Sequence, residues 1–139
     1  NLGKFIEDFK KINTDNKIRL MGHSLGSQVI LSTMEYLSKK KTNDCIIESV
    51  YLFGASITED VPSSKKYKKI LDNIINKKMV KHFAPSDDVL KWADDKKFVK
   101  GPLGLHGVTG NPGKKYQQKL VKPKNHRFAS YSVVLNSFP

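Results

Sequence analysis

A serine, an acidic pair and a late histidine occur along the chain in an order that can support nucleophilic catalysis. Ser24 lies within the pentad Gly-His-Ser-Leu-Gly, residues 22–26. Asp87 and Asp88 come much later, and His126 lies close to the end of the chain. A serine hydroxyl is a weak nucleophile that needs a neighbouring base, and a carboxylate must orient that base. These residue types predict acyl transfer through an activated serine, provided that the fold brings them together.

The segments on either side of the pentad indicate how Ser24 is presented. Residues 18–21 form a short apolar run of strand length, and from Leu25 onward the apolar residues recur with helical spacing. A serine on such a strand-to-helix turn stands above the strand ends, and the flanking Gly22 and Gly26 let the two elements pass closely. The Leu25 N–H at the helix start is then a candidate donor to an oxyanion. For the pentad alone, a glycine-rich turn without catalytic function stays the alternative.

The acid candidates follow a predicted strand directly. Residues 79–84 are mostly apolar, and Asp87 and Asp88 lie in the loop after them. This is the place that the chain order serine, acid, histidine requires for the acid. Asp94 and Asp95 lie in a more polar stretch, where we expect them to be solvated.

Four histidines compete for the role of base. We favour His126 because it follows the last strand candidate, residues 116–121. His106, in a segment rich in glycine and proline, is the main competitor. His23 neighbours the serine, and we expect its side chain to project to the other side of the turn. His82 lies inside a predicted strand, where we expect it to pack.

Apolar strands alternate with amphipathic helices along the whole chain. This alternation predicts an α/β fold, with a mostly parallel sheet flanked by helices on both faces. We find no repeat and no internal boundary, so residues 1–139 are interpreted as one domain. The strand candidates are residues 18–22, 46–53, 79–84 and 116–121. The helices are predicted around residues 2–12, 25–37, 64–75 and 125–138, with residues 100–113 as an irregular excursion.

Individual positions in these helices carry sharper expectations. Val29 is predicted to share the buried face of the second helix, and Ile75 to end the apolar stripe of the third. Asn125 is the candidate N-cap of the last helix, in which Tyr131 and Phe138 are spaced to face inward.

Composition limits the class of partner. The chain has 139 residues, 38% of them hydrophobic, and a formal net charge of +12. The lysines are spread along the chain and are not interleaved with aromatic residues as in a single-strand binding platform. We therefore expect no specific nucleic-acid partner and attribute the charge to solvated faces. Peripheral contact with an anionic membrane stays open as a separate hypothesis.

Several classes of site and location are disfavoured. One cysteine cannot form an internal disulfide, and no His/Cys cluster has metal-ligand spacing. No phosphate-cradling glycine-lysine loop occurs, so we expect neither a cofactor nor a metal. No signal peptide is visible, and no stretch approaches the roughly 18 apolar residues that a membrane span needs. These features favour a cytoplasmic protein.

The motifs resemble those of the α/β-hydrolase superfamily. "IRLMGHSLGSQVI" is similar to the nucleophile strand, turn and helix of lipases and esterases, and "VYLFGAS" to the strand that follows. "FAPSDDVL" resembles the acid loop, in a register that selects Asp87 over Asp88. "GPLGLHGV" followed by "NHRFASY" is similar to a branch whose eukaryotic members include proteins with transmembrane and coiled-coil segments. In that comparison His106 belongs to the loop and His126 is the base.

The resemblance covers nearly the whole chain but only the second half of the family's fold. Several strands normally precede the nucleophile strand, and one of their loops donates the second oxyanion N–H; here one predicted helix precedes it. We therefore expect the C-terminal portion of a longer chain. The resemblance implies a serine esterase or lipase-type hydrolase acting on a small-molecule or lipid acyl substrate. A hydrolase-like domain that binds or scaffolds without turnover is the alternative.

Overall fold

The computed structural model describes residues 1–135, and its centre is a sheet of four strands. The strands lie in the sheet in chain order, and each neighbouring pair is parallel. They are β1 Arg19–His23, β2 Ile47–Phe53, β3 Ile75–Phe83 and β4 Tyr116–Leu120. The α/β class predicted from the alternation of apolar strands and amphipathic helices is thereby confirmed.

Helices occupy most of the connections between the strands. They are α1 Leu2–Ile12, α2 Gly26–Leu37, α3 Lys65–Ile74, α4 Asp88–Asp95, α5 Leu103–His106 and α6 Phe128–Ser132, with single 3₁₀ turns at Lys41–Asn43 and Val61–Ser63. Within residues 1–135, none of these helices has the length and apolar character to cross a bilayer.

Strand β2 supplies both faces of the sheet with apolar side chains. Val50 and Leu52 belong to the larger core, which the first three helices cover. Tyr51 and Phe53 point to the other face, where a smaller cluster includes Tyr131 of α6. Successive strand residues face opposite sides, so a continuous apolar run is the pattern expected of a strand buried on both faces.

Two apolar positions lie elsewhere than predicted. Ile75 begins β3 instead of ending the third helix, because it pairs with Ile47 of β2 and so joins the sheet. Val29 is 55% exposed, whereas Ile30 and Met34 are buried. At 100° per residue, Val29 points away from the face that those two side chains share.

The two segments predicted as irregular contain short helices. The polar stretch after the acid loop forms α4, and the glycine-rich excursion contains α5. Asn125 is not the N-cap of the last helix, because α6 begins after Arg127. The Asn125 Oδ1 instead accepts from the Arg127 N–H at 3.0 Å and from the Ser130 hydroxyl at 2.7 Å. The expectation for Phe138 falls outside the described residues.

Helix α5 closes over the carboxyl ends of β2 and β3. The Gly104 N–H donates to the Ala55 carbonyl at 2.9 Å, and the Gly104 carbonyl accepts from the Ala84 N–H at 2.8 Å. A Cβ atom on Gly104 would lie 2.3 Å from the Ala55 nitrogen. Only glycine allows this approach, so Gly104 ties the excursion to the edge of the sheet where Ser24 lies.

We predict that Gly104→Ala lowers the free energy of unfolding by about 1–3 kcal/mol, because backbone atoms must move apart to admit the methyl group. Gly26→Ala is the matched control, since a Cβ there meets no atom within 4 Å. Its unfolding free energy should be unchanged or slightly higher. Denaturant unfolding of both variants tests this, and equal stabilities would contradict the close packing at Gly104.

Candidate active site

The turn from β1 to α2 holds Ser24 in an unusual backbone conformation. Ser24 has φ of +52°, in the left-handed region that non-glycine residues rarely adopt. Its N–H donates to the Phe53 carbonyl at the end of β2, at 3.0 Å. The serine is thereby anchored to the neighbouring strand at the carboxyl edge of the sheet.

A second serine holds the other side of this turn. The Ser24 carbonyl accepts from the N–H of Ser27 at 3.1 Å and from its hydroxyl at 2.6 Å. The Ser56 N–H donates to the same carbonyl at 3.3 Å and to the Ser27 hydroxyl oxygen at 3.1 Å. Ser27 is fully buried. These bonds stabilise a backbone conformation that costs free energy by itself.

The two glycines of the pentad differ in what they allow. A Cβ on Gly22 would lie 2.7 Å from the Ile30 Cδ1 atom and 3.1 Å from the Gly26 carbonyl carbon. Gly22 therefore permits the close passage of strand and helix that the sequence predicts. For Gly26 that expectation is wrong, because its Cβ would point into open space.

Ser24, His126 and Asp87 come together in a hydrogen-bonded row. The Ser24 Oγ lies 2.8 Å from His126 Nε2, and His126 Nδ1 lies 2.7 Å from Asp87 Oδ2. A carboxylate can only accept, so the Nδ1 proton is donated to Asp87 and Nε2 is left to accept from the serine hydroxyl. The fold brings together the three residues that the sequence proposes. Their catalytic roles stay predictions.

Asp87 accepts three hydrogen bonds although it is buried. Its Oδ1 accepts from the Leu90 N–H at 3.1 Å and thereby caps α4. Its Oδ2 accepts from the Tyr131 hydroxyl at 2.6 Å as well as from His126. Burial raises the pKa of Asp87, but these three hydrogen bonds together outweigh it and hold the pKa below its usual range. The carboxylate is therefore ionised at neutral pH.

The sequence predicts that the His23 side chain projects away from the site, but in the structure it contacts His126. Its Nε2 donates to the His126 carbonyl at 2.5 Å, and the two ring centroids are 4.7 Å apart. Burial lowers the pKa of His23. The ring packs as a neutral group against the segment that carries His126, so it helps to place that histidine.

The competing candidates lie in other contacts. Asp88 is exposed and lies 3.7 Å from the Lys91 ammonium. His106 pairs through Nε2 with Asp94 Oδ2 at 2.9 Å, so Asp94 is not simply solvated. His82 is buried and stacks on Phe53 with 4.7 Å between ring centroids. Among residues 1–135, no group of three or more His, Cys, Asp or Glu side chains is arranged to hold a metal ion.

The start of α2 offers a donor beside the serine. The N–H groups of Ser27 and Gln28 donate to the carbonyls of Ser24 and Leu25. The Leu25 N–H donates to no residue in the described part of the chain. Free N–H groups at a helix N-terminus carry partial positive charge, which favours an anion at this point.

Three contributors to the site were missed in the sequence. Tyr131 was assigned only to the apolar face of the last helix, yet a buried phenol needs a hydrogen-bond partner, and that requirement was the available signal. Ser27, three residues after the nucleophile candidate, is spaced to hydrogen-bond a turn carbonyl. A Cβ on Gly54 would lie 2.9 Å from the Tyr131 hydroxyl and 3.2 Å from His126 Cε1. That glycine leaves room for both rings.

One comparison with known proteins finds a match. A family model described as "Protein of unknown function (DUF726)" matches residues 9–94, more than half of the chain. No curated protein and no solved structure matches the chain. The matched range includes Ser24 and Asp87, and His126 lies beyond it.

We predict that Ser27→Ala lowers the free energy of unfolding by about 1–2 kcal/mol, since it removes a buried hydroxyl that bonds two backbone groups. Ser32→Ala on the exposed face of α2 is the matched control and should change stability little. Urea unfolding monitored by circular dichroism measures both. Similar stability losses in the two variants would contradict the role of Ser27 in holding the turn.

Proposed function

The chain belongs to the DUF726 family, and we propose that it is a serine hydrolase that cleaves a carboxylic ester or a related acyl bond. The observation that carries this proposal is the row Ser24–His126–Asp87, with 2.8 Å and 2.7 Å between successive polar atoms. Hydroxyl, imidazole and carboxylate in this order form the arrangement that activates a serine for attack on a carbonyl.

In the proposed reaction, the Ser24 Oγ attacks the carbonyl carbon of the substrate while His126 Nε2 takes the hydroxyl proton. The tetrahedral intermediate collapses, His126 returns that proton to the leaving alcohol, and an ester forms on Ser24. Water then attacks this acyl-enzyme with His126 again as base, releasing the acid and restoring the serine hydroxyl. Asp87 holds the imidazole tautomer throughout, and the Leu25 N–H donates to the oxyanion.

The resemblance to α/β-hydrolases supports the same proposal. Ser24 lies on a strand-to-helix turn with positive φ, which is the backbone setting of the nucleophile in that superfamily. The acid follows β3, and the histidine follows β4. We propose that the four-stranded sheet corresponds to the second half of that fold.

Binding without turnover is the runner-up function. A serine and a histidine too far apart to form a hydrogen bond would favour it. Hydrogen-bond distance between Ser24 and His126 supports the hydrolase instead.

We predict that a fluorophosphonate probe labels the protein and that Ser24→Ala abolishes labelling. His126→Gln should slow labelling by about 10³-fold or more, because the base is lost. His106→Gln is the matched control, since its ring pairs with Asp94, and it should label at the normal rate. Mass spectrometry of the labelled peptide identifies the modified residue. Labelling that survives Ser24→Ala would exclude the proposed nucleophile.

A second candidate function, peripheral binding to an anionic membrane, is favoured by one exposed patch. Val89, Trp92 and Phe98 are 49%, 54% and 69% exposed, and the two aromatic ring centroids lie 5.2 Å apart. Lys96 and Lys97 follow α4 directly and are exposed. Aromatic side chains beside lysines suit the boundary between lipid headgroups and acyl chains.

We predict that the protein sediments with anionic phospholipid vesicles, that salt weakens the association, and that Trp92→Ser reduces it several-fold. Phe5→Ser is the control, because Phe5 is similarly exposed, at 64%, but lies on α1. Neutral vesicles provide the second reference. Association that is insensitive to salt, or equal losses in both variants, would rule out this patch as the membrane contact.

A further inference from the structure

Tyr131 has a buried hydroxyl that contacts the row of candidate catalytic residues at Asp87, the end opposite Ser24. Its Oη donates to Asp87 Oδ2 at 2.6 Å, and the side chain is fully buried. Asp87 Oδ2 also accepts the hydrogen bond from His126 Nδ1, at 2.7 Å. Two donors therefore share one carboxylate oxygen, while the Leu90 N–H binds the other.

Because Tyr131 and His126 both donate to Asp87 Oδ2, the phenol has an electrostatic effect on the imidazole. A carboxylate oxygen that accepts a second strong hydrogen bond has less negative charge available for the first donor. The charged imidazolium depends on that negative charge more than the neutral ring does. The Tyr131 hydroxyl and the His126 ring therefore compete for the negative charge on Asp87 Oδ2.

We propose that Tyr131 is a positioning residue that fixes Asp87 Oδ2 and sets the pH range in which His126 can accept a proton. The catalytic part of this inference rests on the proposed hydrolase function. Its physical part, the influence of the phenol on the titration of His126, can be tested in the folded protein whether or not the protein turns over a substrate.

The surrounding packing holds the phenol in this position. The Tyr131 ring lies edge-on to Phe53 and to His23, with 6.4 Å and 5.8 Å between ring centroids. Gly54, with φ of +50°, leaves the space that the hydroxyl occupies, because its Cβ would lie only 2.9 Å away. Since the hydroxyl is shielded from solvent, Asp87 is its partner in the described structure.

The described groups that face the His126 ring and titrate come from three other elements. They are Asp87 before α4, Tyr131 of α6 and His23 of β1. Lys124 and Arg127 flank the histidine in sequence. The experiment keeps all of these except Tyr131 constant.

The test follows the His126 imidazole by ¹⁵N NMR against pH in the whole chain, beside the pH dependence of fluorophosphonate labelling. In Tyr131→Phe, both midpoints should move upward by about half to one pH unit, because Asp87 Oδ2 then serves the imidazolium alone. Tyr116→Phe is the matched control. The Tyr116 hydroxyl is also buried but has no partner in the described structure, so its removal should leave both midpoints unchanged.

A fluorinated tyrosine at position 131 supplies the opposite change and retains the hydroxyl if Tyr131→Phe fails to fold. Its phenol is a stronger donor, so both midpoints should move downward. An NMR midpoint that is the same in wild type and in both position-131 variants would overturn the inference. Absence of labelling in the wild type would instead reject the hydrolase proposal, and the NMR titration would still report on Tyr131.

Discussion

The arrangement of the site depends on the hydrogen bonds that the buried carboxylate of Asp87 accepts. A buried charge is costly unless every oxygen is hydrogen-bonded, and Asp87 meets this condition with donors from separate parts of the chain. The Leu90 N–H belongs to α4, the phenol of Tyr131 to α6, and the imidazole of His126 to the segment between β4 and α6. Burying this one charge therefore requires that all three segments are in place.

The serine is held by a second set of bonds that belongs to the sheet. Its strained backbone is fixed by the Phe53 carbonyl at the end of β2 and by the Ser27 hydroxyl within α2. These contacts are formed by the parallel pairing of β1 with β2 and do not require the histidine. The hydrogen bonds from Ser24 to His126 and from His23 to the His126 carbonyl connect this set to the groups around Asp87.

The sequence predicted well those elements whose hydrophobic periodicity or motif lies within one short segment of the chain. The four strands and the first three helices follow from apolar spacing. The turn that carries Ser24 follows from the pentad Gly-His-Ser-Leu-Gly between a strand and a helix. The expectations for Val29 and Ile75 were wrong because each depends on a neighbour distant in sequence: the face that the sheet presents to α2, and the partner strand β2. Helix α4 was missed because its cap, Asp87, was interpreted only as a catalytic acid.

The sequence by itself determined the α/β class and the order of serine, acid and histidine, because alternating periods and chain order are properties of the linear chain. The residues alone left Asp87 and Asp88 open, and the family resemblance selected Asp87. Only the tertiary structure placed Asp87 against His126 and turned Asp88 to solvent, since adjacent residues at a helix start point in different directions. It also brought Tyr131 to a carboxylate 44 residues earlier, a contact that no local pattern encodes.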